Sequence, residues 1–274
     1  MRTKIESRFT NHESRITNHE SRITAVWNRQ DAILKGIYND LGQPVGFPVP
    51  GWKEPPRPPR TAMAGRYCRV EPLDPARHAD DLFRANALET TGRNWTYMSY
   101  GPFDTLEAYR AWMRSSCLGD DPLFHAIVDN ATGRAAGVAS YMRIDPRNAS
   151  IETGHINYSP LLQRKPAATE TMYLMMKRAF QLGYRRYEWK CDALNAPSRT
   201  AAQRLGFSFE GVFRQATIYK GRSRDTAWYA AIDSEWPELE RAFLRWLDPA
   251  NFDAQGNQRL RLSDLTAPTL KQRG

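Results

Sequence analysis

The sequence predicts an α+β fold with a mixed, mostly antiparallel sheet of six to seven strands and flanking helices. Three observations carry the prediction. Residues 151–191 read as strand, helix and strand, a crossover that forces one parallel pair. Residues 124–158 hold three strand patterns in succession, with turn-forming residues at both corners. Residues 209–232 read as a closing hairpin, so the remaining pairing is antiparallel.

Taken in order, the chain first shows a repeat. Ile5–Thr10, His12–Thr17 and His19–Thr24 recur at a period of seven. Each unit has one large apolar residue where a coiled-coil seam needs two, so residues 1–24 are expected to be disordered. Residues 25–65 change character. Trp27–Tyr38 places Ile33, Leu34 and Ile37 at helical spacing. The Pro- and Gly-rich stretch LGQPVGFPVPGWKEPPRPPR follows and favours an extended arm. Its Phe47, Val49 and Trp52 suggest that the arm lies against the domain surface.

Residues 66–233 are predicted to form the domain proper. Tyr67–Leu73 is a strand, and Pro75–Glu89 is an amphipathic helix with Ala79, Leu82 and Phe83 on one stripe. Thr105 caps a helix through Tyr109, Trp112 and Met113. Phe124–Val128, Ala135–Ile144 and Ala149–Tyr158 form the meander. A helix from about Ala167 carries Met172, Met175, Met176, Ala179 and Phe180 around most of its circumference. Tyr184–Cys191 is the next strand, and Phe209–Tyr219 and Asp225–Ile232 flank a turn at Lys220-Gly221-Arg222. In residues 234–274, Ser234 is the expected N-cap of a helix with Trp236, Leu239, Phe243 and Trp246 on one face. Residues 251–274 are polar and expected to be poorly ordered.

Composition narrows the function classes. With 274 residues and 41% hydrophobic content the chain can bury a full core. No run of 18 apolar residues suggests a membrane span, and no apolar segment marks a secretory signal. Cys68, Cys117 and Cys191 are widely spaced, without metal-ligand patterns, and fit a reducing, cytoplasmic setting. The net charge of +9 is spread along the chain, which argues against a nucleic-acid stripe and suits a polyanionic ligand. Neither a metal nor a membrane partner is expected, and a monomer or homodimer fits equally.

The helix opening near Ala167 offers free N–H groups and partial positive charge beside a strand end, a place to hold a pyrophosphate. Around it stand Gln163-Arg164-Lys165-Pro166-Ala167-Ala168 and, further on, Asn195-x-x-Ser198 leading to Leu205-Gly206-Phe207. Over roughly Tyr67–Asp233 the order and spacing of these motifs resemble the GNAT superfamily of acyl-CoA-dependent N-acetyltransferases. Within it they are most similar to the ribosomal-protein N-terminal acetyltransferase branch. The resemblance implies a splayed central parallel pair, acetyl-CoA as cosubstrate, and a primary amine of a small molecule or a peptide or protein N-terminus as acceptor. It implies CoA contacts from Ile156, Asn157 and Tyr158, from Gln163, Arg164, Lys165, Ala167, Ala168 and Thr169, and from Asn195 and Ser198. Two positions depart from the family pattern. Pro166 replaces a Gly of the phosphate loop and removes an N–H donor. Ala202 stands where many members carry a Tyr that serves as general acid.

Acetyl transfer to an amine needs a held thioester, a base for the ammonium proton and donors for the carbonyl oxygen. Alternation along the strand sets Glu152, Gly154 and Ile156 on one face and Ile151, Thr153 and His155 on the other. Glu152 is the base candidate, since a partly buried carboxylate has a raised pKa. His155 is the alternative base. Ser198 is the substitute acid, and it also reads as a helix N-cap. Trp95, Tyr97 and Tyr100 are candidates for the acceptor pocket, with Glu152 as a recognition carboxylate. The same departures leave open a non-catalytic, CoA-sensing or protein-interaction module of the same fold.

Overall fold

The computed structural model describes residues 37–274, which fall into one unit ending at Lys53 and a second comprising Glu54–Gly274. The heptapeptide repeat and the helix expected from Trp27, apart from its last residues Ile37 and Tyr38, lie outside the described residues. In the first unit, Tyr38 and Pro44 form an isolated bridge across a turn closed by Asn39, whose Oδ1 accepts the amides of Leu41 and Gln43.

The second unit is built on eight strands: β1 (Met63–Ala64), β2 (Cys68–Pro72), β3 (Leu123–Asp129), β4 (Ala135–Asp145), β5 (Ser150–Tyr158), β6 (Arg186–Asp192), β7 (Ser208–Tyr219) and β8 (Arg222–Ile232). Their order in the sheet is β1-β2-β3-β4-β5-β6-β8-β7, and β5–β6 is the parallel pair. The sheet thus has eight strands, not six to seven. The added strand is β1, two residues paired with Val70 and Arg69 at the edge. Two residues are too short to show alternation in a sequence.

The helices are α1 (Pro75–Asn86), α2 (Leu106–Ser116), α3 (Pro166–Gln181), α4 (Ala196–Arg204), α5 (Trp236–Leu247) and α6 (Leu262–Thr266). On one sheet face, Met172, Met175, Met176 and Ala179 of α3 are buried with Ile127, Tyr141, Ile151 and Tyr187. This explains why α3 is apolar nearly all round. On the other face, α1 and α2 bury Leu82, Tyr109 and Met113 against Phe124, Ala126 and Val138. Those two helices cover the β2–β4 half, so the β5–β6–β8 half of that face carries polar side chains.

Capping chemistry is partly as predicted. Thr105 accepts the Ala108 amide at the start of α2. Ser234 does not cap α5. Glu235 holds the N-cap position and turns its carboxylate back onto the Ile232 amide, while Asp233 takes the Ser234 amide. Residues 251–274 are also more structured than their polarity suggested. Leu262 and Thr266 of α6 are buried, Thr266 Oγ1 donates to Arg204 O, and the Phe209 amide donates to Gln272 O. Isolated apolar anchors and backbone bonds fix this tail, and neither leaves a periodic signal.

The Pro-rich arm enters this unit through buried Pro55 and Pro58, and Arg178 of α3 donates to Thr61 O and Ala62 O. One carboxylate ties α3 to the start of the sheet. Glu170 accepts the amides of Arg66 at 2.8 Å, Tyr67 at 2.6 Å and Cys68 at 2.9 Å. Gly65 is required beside it, because a Cβ there would run into that carboxyl. Glu170→Ala strands these donors and is expected to cost about 3 kcal/mol of unfolding free energy by urea denaturation. A loss below about 0.5 kcal/mol would show that the clamp is not structural.

Candidate active site

The site begins where two strands part. β5 and β6 pair in register from Ser150↔Arg186 to Thr153↔Trp189, and the pairing stops there. β6 stays on β8 as far as Asp192↔Thr226, while β5 stays on β4 as far as Tyr158↔Gly137. A bulge drives the separation. The β4–β5 register slips between Val138 and Ser140, and His155 takes a left-handed φ of 50°. A bulge of this kind bends its strand and raises local twist.

The bulge also overturns the predicted alternation. Gly154 faces Ser140 and Asn157 faces Val138, so the strand changes parity between them. His155 stays on the face of Glu152 and Gly154, stacked on Tyr100 and packed on Phe124. Ile156 turns to the α3 face. A single strained residue accounts for both shifts.

Opposite the parted strand, α3 presents its N-terminus. The amides of Leu162 and Gln163 are taken by Ser159 O, that of Lys165 by Leu162 O, and that of Ala168 by Lys165 O. The amides of Arg164 and Ala167 take no acceptor among the described residues. Lys165 is the N-cap without a side-chain cap bond, and Pro166 occupies N1, where a missing N–H costs nothing. Gln163 Nε2 donates to Tyr158 O at 2.7 Å and to Asn94 Oδ1 at 3.2 Å, closing the loop back onto β5. Arg164 and Lys165 are exposed, and Thr169 Oγ1 accepts from Arg204.

On the far side of the parting, Asn195 caps α4 by accepting the Ser198 amide at 3.2 Å. Asn195 therefore has the cap role expected of Ser198. Ser198 Oγ instead accepts the indole N–H of Trp189 at 3.0 Å, a bond that leaves its own proton to donate. Trp189 is the last β6 residue paired with β5, which sets Ser198 beside the point of separation.

Glu152 lies one residue before that point, on the face away from α3, and is 2% exposed. Arg143 Nη1 straddles its carboxylate, 2.8 Å from Oε1 and 2.7 Å from Oε2, and Lys190 Nζ is 3.0 Å from Oε2. Lys190 also contacts Glu188 at 2.6 Å and lies 3.8 Å above the Trp228 ring. Arg186 continues the row to Glu188 and Glu210. Burial pushes the Glu152 carboxyl above its ordinary value, against the pull of Arg143 and Lys190. Burial, together with Arg143, pushes the His155 imidazole down to about 4.

The aromatic segment divides. Trp95 is buried and packs on Tyr100 and Phe103, so its ring is core; its carbonyl accepts from Lys220 at 2.8 Å. Tyr100 stacks on Trp112 and reaches His155 Nδ1 at 3.3 Å. Tyr97 donates to Leu194 O, crossing to the loop before α4. Sequence reasoning missed Arg143, Glu188, Lys190 and Trp228. The spacing of Glu188 and Lys190 on β6 carried a signal, since both share the Glu152 face; Arg143 sits on a second bulge, at φ 46°, which carried none.

An open helix end beside an unzipped parallel pair is the geometry that the resemblance to CoA-dependent acyltransferases implied. Residues 69–208 match the family described as the acetyltransferase (GNAT) domain. A GCN5-related N-acetyltransferase from Brucella melitensis is 46% identical, with 80% of this chain and all of that one covered and a TM-score of 0.78. A GNAT-family acetyltransferase from Chromobacterium violaceum is 37% identical over 71% of this chain and 98% of that one, with a TM-score of 0.67. RimL, a ribosomal L7/L12 alpha-N-protein acetyltransferase, shares the fold at 19% identity and a TM-score of 0.51, with 62% and 93% covered. No curated protein matches the chain. The chain belongs to the GNAT family, and it is an N-acetyltransferase.

The residues present fit the family's acetyl-CoA. The bare Arg164 and Ala167 amides suit a pyrophosphate. Asn157, 5% exposed, has both Nδ2 and Oδ1 buried without a partner among the described residues, as a cleft that binds amide groups would leave them.

The half-buried His155 and the buried His125 give a pH signature. His125 is also pushed down to about 4, mainly by burial. In the unfolded chain a His titrates near 6.5. Between pH 6.5 and 4 the unfolded state therefore binds more protons, and stability is lost as pH falls. Each ring is expected to add a slope of up to about 1.4 kcal/mol per pH unit. Urea denaturation at a series of pH values should show the slope, and His125→Gln should remove part of it. An unchanged slope in that variant would place the proton uptake elsewhere.

Proposed function

We propose that this enzyme transfers an acetyl group from acetyl-CoA to a primary amine of a small molecule or of a peptide or protein N-terminus. Transfer is by direct attack, with Glu152 as the base. The observation that carries this reading is the position of Glu152, a buried carboxylate one residue from the strand parting on the face opposite α3. Acetyl-CoA supplies an acetyl group activated as a thioester. The Arg164 and Ala167 amides, with Gln163, Lys165, Ala168 and Thr169 around them, hold its phosphates. The His155–Tyr158 amides and the Asn157 carboxamide orient the acyl arm. Asn195 fixes the start of α4, and the Ser198 hydroxyl supplies a proton where the thiol leaves.

Glu152 takes the ammonium proton, because its carboxylate is made more basic by burial. His155 is the weaker choice, since a ring pushed down to about 4 is a poor base and is enclosed by Tyr100 and Phe124. Tyr97 and Tyr100 border the acceptor, while Trp95 supports them from the core. A cytoplasmic enzyme acting as a monomer or homodimer, without nucleic-acid or membrane partners, goes with this reading. Its support is the three buried free thiols.

Thiol release from acetyl-CoA with an amine panel tests the assignment. Glu152→Gln is expected to lower kcat by about a hundredfold or more. Isothermal titration should give an unchanged Kd for acetyl-CoA. Full turnover in that variant would remove Glu152 from the mechanism. Ser198→Ala should also lower kcat at constant Kd.

A further inference from the structure

Glu152 meets two cations that are held very differently. The Lys190 side chain is 7% exposed and is fixed by Glu152, by Glu188 at 2.6 Å and by the Trp228 ring at 3.8 Å. Withdrawing it would take a cation from two buried carboxylates at once. The Arg143 side chain is 58% exposed, and Glu152 is its one ion-pair partner among the described residues. Its guanidinium rotates into water at little desolvation cost.

The backbone beneath Arg143 explains why it reaches Glu152. The β4–β5 register slips between Met142 and Asp145, and Arg143 has a φ of 46°. The carboxylate of Asp121 pins that bulge by accepting the Arg143 amide at 2.8 Å and the Ile144 amide at 2.9 Å. A bulge so held places one donor-bearing nitrogen across both oxygens of a buried carboxylate. That is the contact an ammonium would make.

We propose that Arg143 occupies the ammonium position of the acceptor amine on Glu152 and is exchanged for the acceptor when it binds. This rests on the reading of Glu152 as the acceptor's base. The acceptor class is a primary ammonium whose N–H donors replace those of Arg143, next to a fixed Lys190–Glu188 pair that stays neutral overall. Exchange removes a permanent cation from the base and sets a dissociable one in its place. One ammonium N–H proton then moves to a Glu152 carboxylate oxygen, giving a neutral amine and a carboxylic acid, and the freed nitrogen lone pair is available for attack. Arg143 is a positioning residue that acts through Glu152. The other charged or titratable groups facing this exchange are Lys190 and Glu188 on β6, His155 on β5, and Asp121 before β3.

The test uses the full-length protein with carboxyl-13C glutamate, the Glu152 resonance being assigned by its loss in Glu152→Gln. Propylammonium chloride is titrated against this signal and, so that binding is also read in Glu152→Gln, by isothermal titration calorimetry in every variant, with propanol as the uncharged control. Circular dichroism confirms that each variant is folded. Arg143→Gln is expected to tighten propylammonium binding by about tenfold, the size of an ordinary coupling between two ligands of one site. It should also raise the pH at which Glu152 titrates, and Arg143→Lys should restore wild-type behaviour. Binding that is unchanged or weaker in Arg143→Gln, yet lost in Glu152→Gln, overturns the exchange and keeps Glu152 as the amine site. Binding that survives in Glu152→Gln overturns both.

Discussion

The structure depends on the release of β5 from β6 after Thr153 and Trp189. A parallel pair normally buries its backbone groups in a continuous ladder. Here the bulge at His155 turns the end of β5 away and leaves polar backbone facing a gap, at a site that a Gly does not occupy. Strain of this kind persists only where surrounding packing over-determines it. The Tyr100 and Phe124 rings about His155, and the β4 ladder on either side of the bulge, supply that packing.

The two faces of the opening have different electrostatics. On the α3 side stand helix-end amides and the Ser198 hydroxyl, groups that receive negative charge without carrying any themselves. On the other side runs a row of paired charges from Arg143 through Glu152, Lys190, Glu188 and Arg186 to Glu210. In the proposed function the polyanion takes the first side and the ammonium the second, meeting where the strands part. The departures from the family pattern fit this division. Pro166 falls at N1, where no N–H is needed, and with Ala202 buried the proposed proton donor is Ser198.

The fold was legible because strong periodic signals dominate it. The Met-rich α3, the meander corners at Asp129–Gly133 and Asp145–Asn148, and the Lys220–Arg222 turn all appear where their residues demand. The face of Glu152 also followed from simple alternation. What did not follow was set by register. His155 and Ile156 exchanged faces because a bulge inserts a residue, and no residue type announces a left-handed His. Arg143 joined Glu152 through a second bulge held by Asp121, distant in sequence. The tail after Asn251 is fixed by single anchors such as Leu262 and by backbone bonds to β7. Interactions of that type are specific in space and featureless in sequence.

The central claim is that the opened end of β5 and the start of α3 together form the cosubstrate cradle. Amide hydrogen exchange of the full-length protein, with and without saturating acetyl-CoA, tests it most directly. Protection is predicted at Gly154–Tyr158 and at Arg164–Ala168, with little change in the β2–β3 ladder. Protection confined to other segments, with those two unchanged, would contradict the account.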